Sequence, residues 1–249
     1  MRRMALASMA ALLLAVGPVP RTPALAQNVD VALVLVSDVS RSIDDREFAL
    51  EKNGYASALA SQAVIDSIQG GSAGRIAIAY IEFAGSVEVR TVLDWTTISD
   101  KASAEAFGVR LQAAPRSFWG RTAIGAGVDQ AVQLLAETAL TPARRVIDVC
   151  GDGTSNAGRA VTEARDDAVK AGIVVNGLAI VNDQPASWTF AHVQPPGGLA
   201  NYYRNNVTGG AGSFVLEVHD FASFGEAMTR KLVSEIAGGP AVRRFADHR

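Results

Sequence analysis

An aliphatic run, Val31 to Val36, ends in Ser37 and then delivers Asp38, Ser40 and Ser42 at alternate positions, with an acidic helix start straight after. The run shows no polar alternation, so it predicts a strand covered on both faces, as in a parallel sheet. Such a strand needs helices on each side of its sheet, which restricts the chain to an α/β layer architecture. The residues just after the run put one carboxylate and two hydroxyls at the mouth of that strand. These are hard oxygen donors, and hard oxygens suit Mg²⁺ or Ca²⁺.

The later chain repeats the strand–helix pattern. A helix is predicted over Ile43 to Ala60, with Ser42 and Asp45 at capping-box spacing and Phe48, Tyr55 and Leu59 on a core stripe. A short helical piece comes next, over Ala63 to Ile68. Arg75 to Phe83 reads as a second buried strand and Val87 to Leu93 as a third. Ala84-Gly85 is too short to hold a crossover helix, so these two strands pair antiparallel. Asp100 to Leu111 is predicted helical behind Ser99 as a cap, and Ala123 to Leu135 helical after the loop Pro115 to Arg121. Arg145 to Cys150 gives a strand stopped by Gly151-Asp152-Gly153. A helix then runs to about Ala171, with Gly172 placed to end it. Ile173 to Ile180 and Phe214 to Val218 are the last strands, and Phe221 to Ile236 the last helix. Between those two strands Val181 to Gly212 is long, rich in glycine and proline, and poorly periodic.

The expected fold is therefore a doubly wound α/β domain over residues 29–237. It has a mostly parallel central sheet, one antiparallel edge strand, and helices on both faces. Ligands of such sheets sit beyond the carboxyl ends of the strands, where strand order reverses. Asp38 and Asp152 both come just after such ends, and Thr122 lies just before a helix that leads back into the sheet.

The first 26 residues stand outside this pattern. A basic start, an apolar run from Ala5 to Val16 and the small-residue pattern Ala24-Leu25-Ala26 read as a secretory signal peptide. The apolar run falls short of the roughly 20 residues a bilayer crossing needs. The expectation is a periplasmic or secreted protein with no transmembrane segment after leader removal and a short basic tail over 238–249. Loss of Arg2, Arg3 and Arg21 would take the formal charge from −2 to −5. A mildly acidic chain is a poor binder of nucleic acid. The one cysteine, Cys150, excludes an internal disulfide and sits in an apolar run, as a buried thiol does.

Asp38-x-Ser40-x-Ser42, a distant Thr122 and a later Asp152 in a Gly-Asp-Gly turn resemble the metal-ion-dependent adhesion site of von Willebrand factor A domains. The resemblance covers nearly the whole chain after the leader and is closest to a bacterial periplasmic branch of these domains. It implies that Ser40, Ser42 and Thr122 touch a metal through their hydroxyls, while Asp38 and Asp152 act partly through bound water. The ion so implied is Mg²⁺, with Mn²⁺ or Ca²⁺ as alternatives, and the implied partner is a protein that offers an acidic group.

Taken singly, the parts have plainer explanations. Asp38 to Ser42 can form a side-chain-bonded turn with Ser42 as helix cap, and Asp152 can shape a turn. Ser42 can also cap and ligate at once, through separate lone pairs. Asp148 and Glu82 lie within buried strands and need partners; for Asp148 these are Ser37, a neighbouring loop or a helix end. Phe118 and Trp119 rim a partner site or pack beneath their loop. His192 has no second histidine at zinc-site spacing, and Asn206-Val-Thr208 matches the glycosylation pattern.

These residues leave three functional classes. The first is a divalent-cation-dependent protein-binding module. The second is a metal-dependent hydrolase. Against it, no histidine, cysteine or lysine accompanies the cluster as a base, and there is no GxSxG elbow, Walker loop or dinucleotide fingerprint. The third is a structural protein whose ion only stabilises the fold. The expectation is the first, without catalytic residues.

Overall fold

The aliphatic run becomes the middle of the sheet. The computed structural model describes residues 27–181, 195–219 and 224–238. Its strands are β1 (Asn28–Asp38), β2 (Ile76–Phe83), β3 (Val89–Ile98), β4 (Thr141–Gly151), β5 (Val174–Ile180) and β6 (Val215–Val218), in the spatial order β3-β2-β1-β4-β5-β6. All neighbours pair parallel except β2 with β3, the hairpin that the short Ala84-Gly85 connection requires. This is the doubly wound architecture with one antiparallel edge.

The period of two along β1 sorts its side chains to two cores. Val31, Leu33 and Leu35 face α1 (Asp45–Leu59), α2 (Gln62–Gln69), α3 (Lys101–Ala113) and α7 (Phe224–Ala237). Ala32, Val34 and Val36 face α4 (Ile124–Glu137), α5 (Val161–Lys170) and the one-turn α6 (Leu199–Tyr202), which runs on into a π turn at Tyr203–Val207. All six are fully buried. Burial of each Val or Leu side chain stabilises by about 1.5–3 kcal/mol, so both faces of this strand must stay apolar. Gly127 lets α4 approach closely, since a Cβ there would lie 2.8 Å from the Val36 side chain and 2.9 Å from Phe83.

Helix ends depart from the expected caps in two places. Asp44, not Ser42, caps α1. Its carboxylate accepts from Glu47 N at 2.8 Å, and Glu47 reaches back to Asp44 N at 2.9 Å. The box is shifted by two residues because Ser42 is turned toward the strand ends. Asp100, not Ser99, caps α3, accepting from Ser103 N at 2.8 Å. Phe48 is only half-buried, while the acids Glu47 and Glu51 take inward positions of α1. Gly172 closes α5 with φ +73°, as placed.

Asp148 does not bond to Ser37. Ser37 instead donates to Glu51. Asp148 pairs with Lys231 of α7 at 2.5 Å, and Lys231 also binds Glu235, all three fully or almost fully buried. Asn176 on β5 donates to Glu235 at 3.0 Å and accepts from Phe214 N at 3.2 Å. A lysine on α7 was the missing partner for the strand acid. Glu82 accepts from Ser117 N at 2.8 Å and so anchors the loop before α4.

No described helix is long and apolar enough to cross a membrane. The leader over 1–26, most of the tail over 238–249 and His192 lie outside the described residues.

Candidate metal centre

Strand order reverses between β1 and β4, and the site lies at that crevice. Register places Ser37 beside Cys150, so Asp38 and Gly151 are neighbours at the carboxyl ends of their strands. A Cβ on Gly151 would lie 3.0 Å from Asp38 Cβ and 2.6 Å from the Tyr203 hydroxyl. Glycine at 151 is therefore what lets the turn carrying Asp152 close against Asp38.

All five sequence-predicted residues come together. Asp38 Oδ1 accepts from Ser40 N at 2.8 Å, which folds the loop back on itself. The Ser40 and Ser42 hydroxyls are 3.0 Å apart. Thr122 Oγ1 donates to Ser40 Oγ at 3.1 Å, and Ser42 Oγ donates to Asp152 Oδ1 at 2.9 Å. Asp38, Ser40, Thr122 and Asp152 are buried, and Ser42 is half-buried at the opening. Thr122 is held by a reciprocal pair: its N–H donates to Asn156 Oδ1 at 3.0 Å and its carbonyl accepts from Asn156 N at 2.8 Å.

The donor set fits a hard divalent ion. Octahedral bonds of about 2.0–2.1 Å set adjacent ligand oxygens about 2.8–3.0 Å apart, close to the 2.9–3.1 Å spacings across these hydroxyls and Asp152. Ordinary hydrogen bonds have the same length. The hydroxyls therefore satisfy one another without an ion, at the spacing that adjacent ligands of one would also have. Two carboxylates match one divalent charge. Among the described residues no group of three or more His, Cys, Asp or Glu side chains is placed to hold a metal. Here most of the donors are hydroxyls.

Sequence reasoning missed three neighbours. Asn156 secures Thr122. Tyr203, from the poorly periodic segment, lies fully buried over Gly151; burial, reinforced by Asp38, Cys150 and Asp152, raises its phenol well above the usual value and keeps it neutral. Arg116 donates to the backbone carbonyls of Val39, Ser40 and Ile43. Its place in the loop between α3 and Gly120 was the only signal for it. Of the two loop aromatics, Trp119 is 51% exposed and stacks on Arg116. Asn206 donates to Tyr202 O at 2.9 Å, and Thr208 is buried.

Residues 28–240 match the family described as "Protein of unknown function (DUF1194)". No curated protein matches the chain. Among solved structures it resembles proximal thread matrix protein 1 from the mussel byssus, with TM-score 0.59 and 20% identity over 86% of this chain and 49% of that one. A further structure of that mussel protein is described as having a zinc-occupied MIDAS motif, with TM-score 0.58 and 20% identity over 86% of this chain and 49% of that one. The von Willebrand factor domain of the type V pili tip protein Mfa5 from Porphyromonas gingivalis matches at TM-score 0.55 and 12% identity, over 84% of this chain and 96% of that one. This chain spans about half the length of the mussel protein. At these identities the likeness is one of fold, that of von Willebrand factor A domains.

Proposed function

The chain belongs to the DUF1194 family, and from the oxygen cluster we propose that it is a divalent-cation-dependent protein-binding module. Asp38, Ser40, Ser42, Thr122 and Asp152 hold the ion, with Mg²⁺ the expected occupant and Mn²⁺ or Ca²⁺ the alternatives. The observation that carries the reading is the convergence of three hydroxyls and two carboxylates at the strand-order reversal. A bound ion would offer a partner's carboxylate a position otherwise taken by water. The chain's own contribution is to supply few direct charges, so the ion stays attractive to an outside acid. Thr122, Ser40 and Asp152 are buried, which fixes their oxygens before an ion arrives. Ser42 lies at the half-open side, where a partner would enter.

The reading includes export to the bacterial periplasm or exterior, supported by the basic and apolar N-terminal pattern and the small residues before Gln27. N-terminal sequencing of the protein from an envelope fraction tests that part, and a start at Met1 would sink it.

The site is tested by titrating the purified protein with Mg²⁺ and Mn²⁺ by calorimetry, and then by capture from envelope extract with Mg²⁺ or with chelator. Binding of the ion by the wild type, and loss of both ion and captured partner in Asp38→Ala, supports the reading. Equal ion binding and equal capture in Asp38→Ala would falsify it.

A further inference from the structure

We propose that Arg116 is the positioning residue of this centre: its guanidinium, gripping the carbonyl side of the 39–43 loop, sets the direction in which Ser40 and Ser42 present their hydroxyls. The inference rests on the metal-binding reading above and adds to it a residue outside the oxygen cluster.

The geometry is that of a clamp. Arg116 Nη2 lies 2.9 Å from Val39 O, 2.7 Å from Ser40 O and 2.8 Å from Ile43 O, its two hydrogens shared among the three carbonyls. Its Nε lies 3.3 Å from Val39 O and 3.1 Å from Phe118 O. The side chain is 6% exposed, so these bonds are shielded from water. The guanidinium carbon lies 3.7 Å from the centroid of the Trp119 ring and 5.4 Å from that of Phe48. The remaining ion pair, to Asp45 at 3.6 Å, faces a carboxylate that is 83% exposed and adds little.

The clamp is itself fixed. Ser117 N donates to the buried Glu82 at 2.8 Å, and Lys52 of α1 donates to Ala114 O. Arg41 N donates to Gly120 O at 3.1 Å, joining the two loops a second time. A rigid loop thus imposes its position on the one that carries Ser40 and Ser42.

This has two chemical effects. First, holding the carbonyls of Val39, Ser40 and Ile43 at one guanidinium restricts the backbone dihedrals between them, and so the Cα–Cβ directions of Ser40 and Ser42. Second, backbone carbonyls are themselves hard donors. Arg116 occupies those of Val39, Ser40 and Ile43 and so keeps them from turning toward a cation. Coordination positions are left for water or an outside ligand. Lysine is a poor substitute, because its ammonium ends one bond short of Nη2 and cannot also serve Phe118 O, which Nε reaches in the arginine.

Charge acts in the opposite sense. A fixed cation near the centre repels a divalent ion, so removing it should tighten binding if charge were all that mattered. The two roles therefore separate cleanly. Mn²⁺ affinity is measured by calorimetry for the wild type, Arg116→Lys and Arg116→Gln. Hydrogen–deuterium exchange of residues 38–44 and the melting temperature are measured on the same samples.

Positioning predicts that both variants bind Mn²⁺ roughly tenfold to a hundredfold more weakly, as changes behind a metal ligand do, with faster exchange centred on 38–44. Tighter binding by Arg116→Gln with unchanged binding by Arg116→Lys would mean that only charge matters. A lower melting temperature with unchanged Mn²⁺ affinity of the folded protein would leave only a structural role. Either result overturns the proposal. Trp119→Leu removes the stacked face but leaves the hydrogen bonds, so it supplies a milder variant, expected to weaken Mn²⁺ binding in the same direction. If the wild type takes up no Mn²⁺ or Mg²⁺, the metal reading falls and this inference with it. If the wild type binds and the variants bind equally, only the role of Arg116 falls.

Discussion

Burial holds the proton on Glu51 well above the usual carboxylate range. It is fully buried on α1, accepts from Ser37 and neighbours the Cys150 thiol. Burial, only partly offset by those hydrogen bonds, raises its pKa from 4.5 to about 8. The folded value lies above the unfolded one, so the folded state holds this proton more tightly. Its stabilising contribution is complete below about pH 4.5 and is lost as pH rises through about 8. Between those values the slope is at most about 1.4 kcal/mol per pH unit for one proton. Glu51→Gln removes the dependence, so urea denaturation at pH 5 and pH 8 should show the wild type losing stability relative to the variant. Equal losses would mean that Glu51 is ionised in the folded protein. At this scale the meeting of five oxygen-bearing residues was legible, because Asp38, Ser40 and Ser42 share one short loop, Thr122 directly precedes a helix and Asp152 sits in a glycine turn. Arg116, Asn156 and Tyr203 were not, since each matters only through contacts that no local pattern encodes.

At the scale of elements, α1 and α7 show how polar groups fix helices on this sheet. The capping box of α1 belongs to Asp44 and Glu47, which frees Ser42 for Asp152. Asp44→Ala should cost about 1 kcal/mol of stability, while Ser42→Ala should cost less than Asp44→Ala and lose most of the ion affinity. Chemical denaturation and calorimetry on the two variants separate cap from ligand. Helix α7 docks through Lys231, which lies between Asp148 and Glu235. Lys231→Met leaves two buried acids facing each other and should cost about 3–5 kcal/mol, with partial recovery at low pH as the acids take up protons. No loss of stability in denaturant would show that the acids are already neutral in the wild type. The sequence marked Asp148 as an acid in need of a partner. It could not name Lys231, because 83 residues separate the two positions.

Over the whole molecule, an ion held at the proposed site would link its binding to folding. The five donors come from β1 and the loop after it, the loop before α4 and the turn after β4, and an unfolded chain cannot assemble them. Mg²⁺ at a hundred times its dissociation constant should therefore stabilise the fold by about 2.7 kcal/mol, seen as a rise in melting temperature that chelator reverses and Asp152→Ala abolishes. An unchanged melting temperature at saturating Mg²⁺ would count against a site that forms only on folding. The alternation of buried strands and amphipathic helices determined the layer class and the antiparallel hairpin, and put Asp38 and Asp152 at the carboxyl ends of their strands. These depend on periodicity and connection length, which are local and survive in one dimension. Tertiary structure alone decided which residue capped α1, what partnered Asp148 and what holds the 39–43 loop. Each of those is a competition between groups that local sequence leaves open, and folding settles it by bringing one contender within reach.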